Sequence, residues 1–394
     1  MLSVADIQDA LHAWGLDGWL FIDFRGSDPL AYSILGLPAD VFLSRRWAYY
    51  VPADGLPTRL VHAIESWALD PLPGKKEIYL PWKEWHERLE AMLHGSKRIA
   101  MQFSPMNAIP YVSRVDAGTI DLVRSFGVDV ASSADLVQQF EAVLSDVQFS
   151  SHIYSANVIA QICQEAFDEI GRRLRSEETV TEFAIQQFII EKFHEAGLVT
   201  DHPPIVAVDA HSADPHFSPT ASASSPIGRG QSVLIDLWAK RREPGSIYAD
   251  ITRVGFTAPE IPSEYQKVFD IVQQARDAAI DFVAGEWKSN RPVTGAEVDD
   301  ACRAVIQKAG FGKYFIHRTG HSIHQSTHGN GANIDNLETK DERRLIANTL
   351  FSIEPGIYLP GQFGIRSEIN VFLSVKEPMV TGPARQSAVT RIIG

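Results

Sequence analysis

The sequence predicts an α+β protein in two parts, a mixed α/β domain over residues 1–145 and a second domain over residues 146–394 built twice from one unit. Three observations carry this. A chain of 394 residues is long for one core and fits two domains. Hydrophobic residues make up 45% and charged residues 22%, enough apolar surface to fill both. After residue 146 the order helix, helix, strand, strand occurs twice, which implies two related halves facing each other about a pseudo-two-fold axis.

In the first part, the apolar segments Gly18–Ile22 and Trp47–Val51 are β-prone and bounded by Gly, Pro and Asp, as strands are. Helical periodicity follows over Trp82–Leu93. Six of the eight tryptophans fall in this part and are expected mainly in its core. The second part opens with a helix over Asp146–Leu174, whose stripe is Ile153, Ala156, Ala160, Cys163, Phe167 and Ile170. Thr179 and Glu182 have the spacing of a capping box and predict the start of the next helix, which stops near Gly197. Strands over Gln231–Trp238 and Ser246–Val254 come next, with polar Lys240–Gly245 as their turn. The repeat unit then starts again. A helix covers Ser263–Ala284 with Val268, Val272, Ala275, Ala279 and Phe282 on one face. Another opens on the box Thr294 to Glu297 and ends at Gly310, and strands follow over Thr349–Glu354 and Gly364–Val371.

Charge excludes some functions. The net charge is −13, with acids spread along the chain, whereas nucleic-acid phosphates demand a basic surface. No run reaches the ~20 apolar residues of a membrane-spanning helix, and the N-terminus lacks a basic-then-apolar signal segment. Cys163 and Cys302 are the only cysteines and lie in helices, which fits a reducing, cytoplasmic setting.

Each repeat unit ends in a pair of acids, Asp236 with Asp250 and Glu354 with Glu368, both separated by fourteen residues. Asp236 interrupts the apolar run Val233–Trp238, typical of a buried strand, and a buried carboxylate needs a partner or a proton. Two carboxylates ~4 Å apart repel by about 4 kcal/mol at an effective dielectric near ~20. Four together therefore call for cations, and two divalent ions cancel their charge, with His321 as the nitrogen ligand. For any one acid an ion pair or a helix cap explains as much; the five together point to a metal centre. His317, His321, His324 and His328 crowd into twelve residues rich in Gly, Ser and Thr, a loop composition without the cysteines of a structural zinc site. His216 lies in a second, Pro-bounded loop.

The motifs Leu234–Leu237, Tyr248–Arg253, Gly320–His321, Phe351–Tyr358 and Gly364–Glu368 resemble those of the creatinase-like, pita-bread metallopeptidases, most closely the proline-specific Xaa-Pro dipeptidases (prolidases) and Xaa-Pro aminopeptidases. The resemblance covers the whole chain and implies an N-terminal creatinase-like domain before a pita-bread catalytic domain. It further implies that Asp236 chelates one metal, that Asp250 and Glu368 bridge both, and that His321 and Glu354 complete the second. Glu354 is then the general base beside a metal-bridging hydroxide. His216 and His328 bind substrate and stabilise the oxyanion, and His317 is a further candidate for substrate contact. Arg366, on a strand face with Glu368, orients the liganding carboxylates. The pattern is broken at Ser322, His324, Gly329, Asp209 and His211, positions near the expected substrate.

The expectation is hydrolysis of the Xaa-Pro bond of dipeptides with two divalent ions per subunit. The oxygen-rich donors favour manganese over cobalt or zinc. The alternatives are an Xaa-Pro aminopeptidase acting on longer peptides and a metal-dependent hydrolase of a small non-peptide amide. The expected partners are a small proline-containing peptide and a second copy of the chain in a homodimer, with no nucleic acid and no membrane.

Overall fold

A computed structural model describes residues 3–38 and 40–393. The chain divides into two compact units, one ending at Glu141 and one starting at Ala142.

The first unit is a six-stranded mixed sheet with helices on both faces. Its strands are β1 (Gly18–Asp23), β2 (Trp47–Pro52), β3 (Thr58–His62), β4 (Lys75–Tyr79), β5 (Arg98–Met101) and β6 (Asp129–Ser132), in the order β4-β3-β2-β1-β5-β6. The β1–β2 and β2–β3 pairs are antiparallel and the remainder parallel. Side-chain alternation sends Trp19, Phe21, Trp47 and Tyr49 toward α1 (Val4–Trp14), α2 (Pro29–Leu35) and α5 (Ala134–Glu141). Leu20, Ile22, Ala48 and Tyr50 face α3 (Trp82–Leu93) and α4 (Ala117–Ser125). Burial on both faces is why β1 reads as a continuous apolar run. Trp19, Trp47 and Trp85 are core residues, whereas Trp67 and Trp82 are exposed.

The second unit opens with α6 (Asp146–Arg175) and α7 (Glu182–Glu195). The buried stripe of α6 runs through Ala156, Ile159, Cys163, Ala166, Phe167 and Ile170, while Ile153 and Ala160 are only partly covered. The expected cap of α7 is corrected. Thr181, not Thr179, is the N-cap, and its side chain accepts from Ala184 N at 3.1 Å. Glu182 is instead fully buried, accepting from Val208 N at 2.8 Å and Ser225 N at 2.7 Å and pairing with His211 Nδ1 at 2.9 Å. Those donors hold its carboxylate away from the helix terminus.

Short β7 (Leu198–Val199) and β8 (Ile205–Val208) both pair with β9 (Ser232–Arg241), which is antiparallel to β10 (Ala249–Phe256). Ile235, Leu237, Ala249 and Ile251 pack on α6 and α7. The second half repeats this with α8 (Ser263–Lys288), α9 (Gly295–Lys308) and the antiparallel pair β11 (Thr349–Ile353) with β14 (Ile369–Leu373). The box at Thr294 and Glu297 caps α9 as expected. A hairpin of β12 (Gly356–Leu359) and β13 (Phe363–Arg366) lies between them, and β15 (Pro378–Thr381) and β16 (Thr390–Arg391) finish the chain. The single strand expected over 364–371 is therefore two, broken at Ser367–Glu368 where pairing passes from β12 to β11.

Candidate metal centre

Register decides what the strands present. Thr252 lies opposite Asp236 and Asp250 opposite Trp238, so all four side chains share the face of β9 and β10 turned away from α6 and α7. In the second half, Ser352 and Asn370 are cross-strand partners. Asn370 joins the halves: its Nδ2 donates to the Asp250 carbonyl at 2.7 Å and its Oδ1 accepts from Asp250 N at 3.0 Å. Glu368 enters from the strand break, its N–H donating to the Thr252 carbonyl at 3.3 Å.

His321 arrives on an extended segment because Gly320 allows it. A Cβ at Gly320 would lie 2.0 Å from the Ser352 carbonyl oxygen, so only glycine lets the backbone approach. His321 N then donates to Ser352 Oγ at 2.9 Å, and Ser352 Oγ donates to Glu354 Oε1 at 3.0 Å. Glu354 is tied by its own N–H to the Thr319 carbonyl at 2.7 Å.

Ligand atoms of Asp250, His321 and Glu368 lie within 4.8 Å of one another, and all three residues are buried. Asp250 Oδ1 and Glu368 Oε1 are buried with no hydrogen-bond partner among the described residues. His321 Nδ1 sits 3.1 Å from the Ser322 carbonyl; with the proton there, the Nε2 lone pair faces Glu354 Oε1 at 3.3 Å and Asp250 Oδ2 at 3.6 Å. Three sets of lone pairs converging in a buried space repel unless a cation stands between them. The donor set therefore fits divalent metal.

Asp236 and Glu354 flank this group. Thr252 Oγ1 lies 2.9 Å from Asp236 Oδ1 and 2.8 Å from Glu368 Oε2, and it accepts from Arg366 Nε at 2.9 Å. One hydroxyl proton serves only one of those carboxylates at a time. Arg366 also contacts Asp236 Oδ2 and reaches Tyr358 OH at 3.3 Å. It was expected on a strand face with Glu368; in fact it closes β13 while Glu368 lies in the break, and its carboxylate partner is Asp236.

The electrostatics follow from burial. Asp236 is pushed up to about 7 by burial despite Arg366. Asp250 and Glu368 are raised well above the carboxylate range, by burial first and then by Glu354 on the one and Asp250 on the other. Glu354 goes the opposite way: burial raises it, but His321, Arg366 and His317 together hold it below the ordinary range.

The other histidines separate. His328 rests its ring against His321, centroids 4.4 Å apart, and His321's charge and burial press it down to about 3. His317 lies between the Arg318 carbonyl at 2.6 Å and Tyr358 OH at 2.8 Å. His324 is half-buried, and its carbonyl accepts from Tyr248 N at 3.0 Å. His216 is not brought to the carboxylates by any contact among the described residues: it is exposed in a turn, its N–H on Asp214 Oδ1 at 3.0 Å. His211 pairs with Glu182 and stacks on Phe217, and Asp209 accepts from Gln231 Nε2 at 2.7 Å and Ser232 N at 2.9 Å, so both tie the fold together. Sequence reasoning gave no role to Thr252, Asn370, Ser352 or Tyr358. Period-two spacing from Asp250, Glu368 and Glu354 was the available signal for the first three.

The profile of metallopeptidase family M24 matches residues 156–374. The chain belongs to this family. Divalent metal ions are accordingly its expected cofactors. A provisionally named Xaa-Pro aminopeptidase of Mycoplasma pneumoniae is 30% identical over 242 residues, 58% of this chain and 62% of that protein. The Xaa-Pro dipeptidase of Lactobacillus helveticus is 33% identical over 165 residues, 42% of this chain and 40% of that protein. The chain thus spans less than two thirds of either relative's length. The crystal structure of dipeptidase PepE from Mycobacterium ulcerans covers 99% of this chain and 97% of its own, with TM-score 0.64 and 24% identity. The pita-bread fold of such M24 peptidases is this chain's fold. No helix among the described residues is long and apolar enough to cross a membrane.

Proposed function

We propose that the protein is an Xaa-Pro dipeptidase using two divalent ions, preferably manganese, held by Asp236, Asp250, His321, Glu354 and Glu368. The observation that carries this is the convergence of Asp250, His321 and Glu368 with two buried, unpartnered carboxylate oxygens. The four carboxylates carry four negative charges, which two divalent ions would cancel. Cobalt or zinc would suit the same donors less well than manganese, since oxygen dominates.

Divalent ions at such a centre lower the pKa of coordinated water and polarise the scissile carbonyl. The chain's own groups do the rest. Glu354, its Oε2 3.9 Å from Arg366 Nε, takes the proton of the attacking water and returns it to the departing proline nitrogen. His328, beside His321, donates to the carbonyl oxygen as charge builds there. His216, exposed in its turn, and His317, fixed by Tyr358, are the further substrate contacts in this reading. The imide-like Xaa-Pro bond has no N–H, so a pocket for the ring must supply the selectivity.

The name of the Mycoplasma relative favours one second reading, an aminopeptidase acting on longer Xaa-Pro peptides. One experiment separates them. The metal-stripped protein, reloaded with manganese, cobalt or zinc, is assayed on Ala-Pro, Leu-Pro and an Ala-Pro-extended peptide. Release from the dipeptides with manganese best is expected; cleavage of the extended peptide alone selects the second reading, and no cleavage rejects both. We further place the protein in the cytoplasm as a homodimer, and a monomer by light scattering would overturn the latter.

A further inference from the structure

The back of β10, opposite the metal face, holds a guanidinium that forms no ion pair with any described residue. Arg253 follows Thr252, so its side chain leaves the other side of the strand. Its Nη1 donates to the Thr252 carbonyl at 3.1 Å and to the Glu368 carbonyl. Its Nε and Nη2 have no hydrogen bond or ion pair among the described residues.

Arg253 lines a cleft of about 410 Å³ whose floor is Cys163 and Phe167 of α6 and whose far wall is the chain at residues 383–384. No acidic residue lines it among the described residues. Asn157, Gln161 and Gln164 form its lip on α6. The nearest acids on that helix, Glu165 and Asp168, are taken up by the amides of Gln161 at 2.8 Å and Gln164 at 2.9 Å. A partly buried cation with two free donors, above an apolar floor and without an anion, is incompletely solvated. Nε and a terminal nitrogen of one guanidinium also form the fork that carboxylates bind in parallel.

We propose that this cleft is a binding site for a small organic anion, its carboxylate on Nε and Nη2 of Arg253 and its apolar body over Cys163 and Phe167. The site is separate from the metal centre and independent of the peptidase reading. An occupant would also restrain the side chain that holds the Glu368 and Thr252 carbonyls, and so would act on the metal strand from behind.

Asn157 supplies a clean test, because it is exposed, lines the lip and its side chain makes no hydrogen bond among the described residues. Benzoate, acetate and inorganic phosphate are titrated calorimetrically into the metal-loaded protein, Asn157→Lys and Asn157→Asp. The expected result is saturable binding, benzoate tighter than acetate, strengthened at least threefold by Asn157→Lys and weakened at least threefold by Asn157→Asp. Anions captured by the metals instead would bind all three proteins alike, which would overturn the proposal, as would no saturable binding of either carboxylate at millimolar concentration.

Discussion

Thr252 shows how much one hydroxyl can govern. It stands between Asp236 and Glu368 and under Arg366, so it sets the distance between a flanking carboxylate and one of the converging group. Removing such a supporting hydrogen bond usually lowers metal affinity or activity by about 10–100-fold. Thr252→Val keeps the shape and loses the hydroxyl. Its manganese affinity and kcat/KM should both fall by about 10-fold or more, while Thr252→Ser restores most of each. Competition with a metal-sensitive dye and steady-state assay give the two numbers; an unchanged Thr252→Val would deny the hydroxyl any role. The residue also shows what the chain conceals before folding. Asp236, Asp250, His321, Glu354 and Glu368 stand out as polar groups in apolar or glycine-flanked settings. Thr252 and Asn370 look like ordinary strand residues until register places them beside the acids. Arg366 was expected to support the carboxylates, and its observed partner, Asp236, depends on the strand break that no periodicity announces.

At the scale of elements, glycine and capping chemistry do the positioning. Helix α3 lies where its periodicity put it, and the Thr294 box opens α9 as read. The α7 box failed because Glu182 had better offers from tertiary backbone donors, which local spacing cannot reveal. The four histidines were legible as a loop segment from their Gly, Ser and Thr neighbours, and the structure keeps them out of any helix. Gly320 is the sharpest case. A methyl group there must displace the Ser352 carbonyl, which belongs to the strand leading to Glu354. Gly320→Ala should destabilise the fold by about 3 kcal/mol or more, in the range of overpacked core substitutions. Chemical denaturation would show a lower midpoint, and equal midpoints would mean that the segment yields freely.

For the whole molecule, pH is a useful probe because a buried histidine outside the metal group couples distant elements. His152 of α6 is wholly buried, with Nδ1 2.8 Å from the Tyr248 carbonyl and Nε2 2.6 Å from Thr381 Oγ1. Burial lowers its pKa to about 4, against about 6.5 in the unfolded chain. The sign is therefore that of a depressed group. Its stabilisation is present above pH ~6.5, and between ~6.5 and ~4 the unfolded state takes up the proton first and stability falls. His152→Gln should show a shallower loss of stability over that window than the parent. Comparing the two chains cancels the other histidines, and parallel acid limbs would refute the assignment.

Asn370 and Asp250 exchange their hydrogen bonds across the boundary between the repeated halves, and each half brings one pair of acids to that boundary. Neither half is self-sufficient: alone, each would carry a carboxylate pair, an uncovered apolar sheet and unpaired polar groups. Ions bound at the proposed centre would therefore also fasten the halves. A backbone nick in the exposed Pro259–Glu260 segment should leave the protein associated and metal-loaded. Chelation should then loosen the nicked protein far more than the intact chain, which native gel mobility would register. Fragments that part equally readily with and without metal would mean that apolar packing alone holds them together.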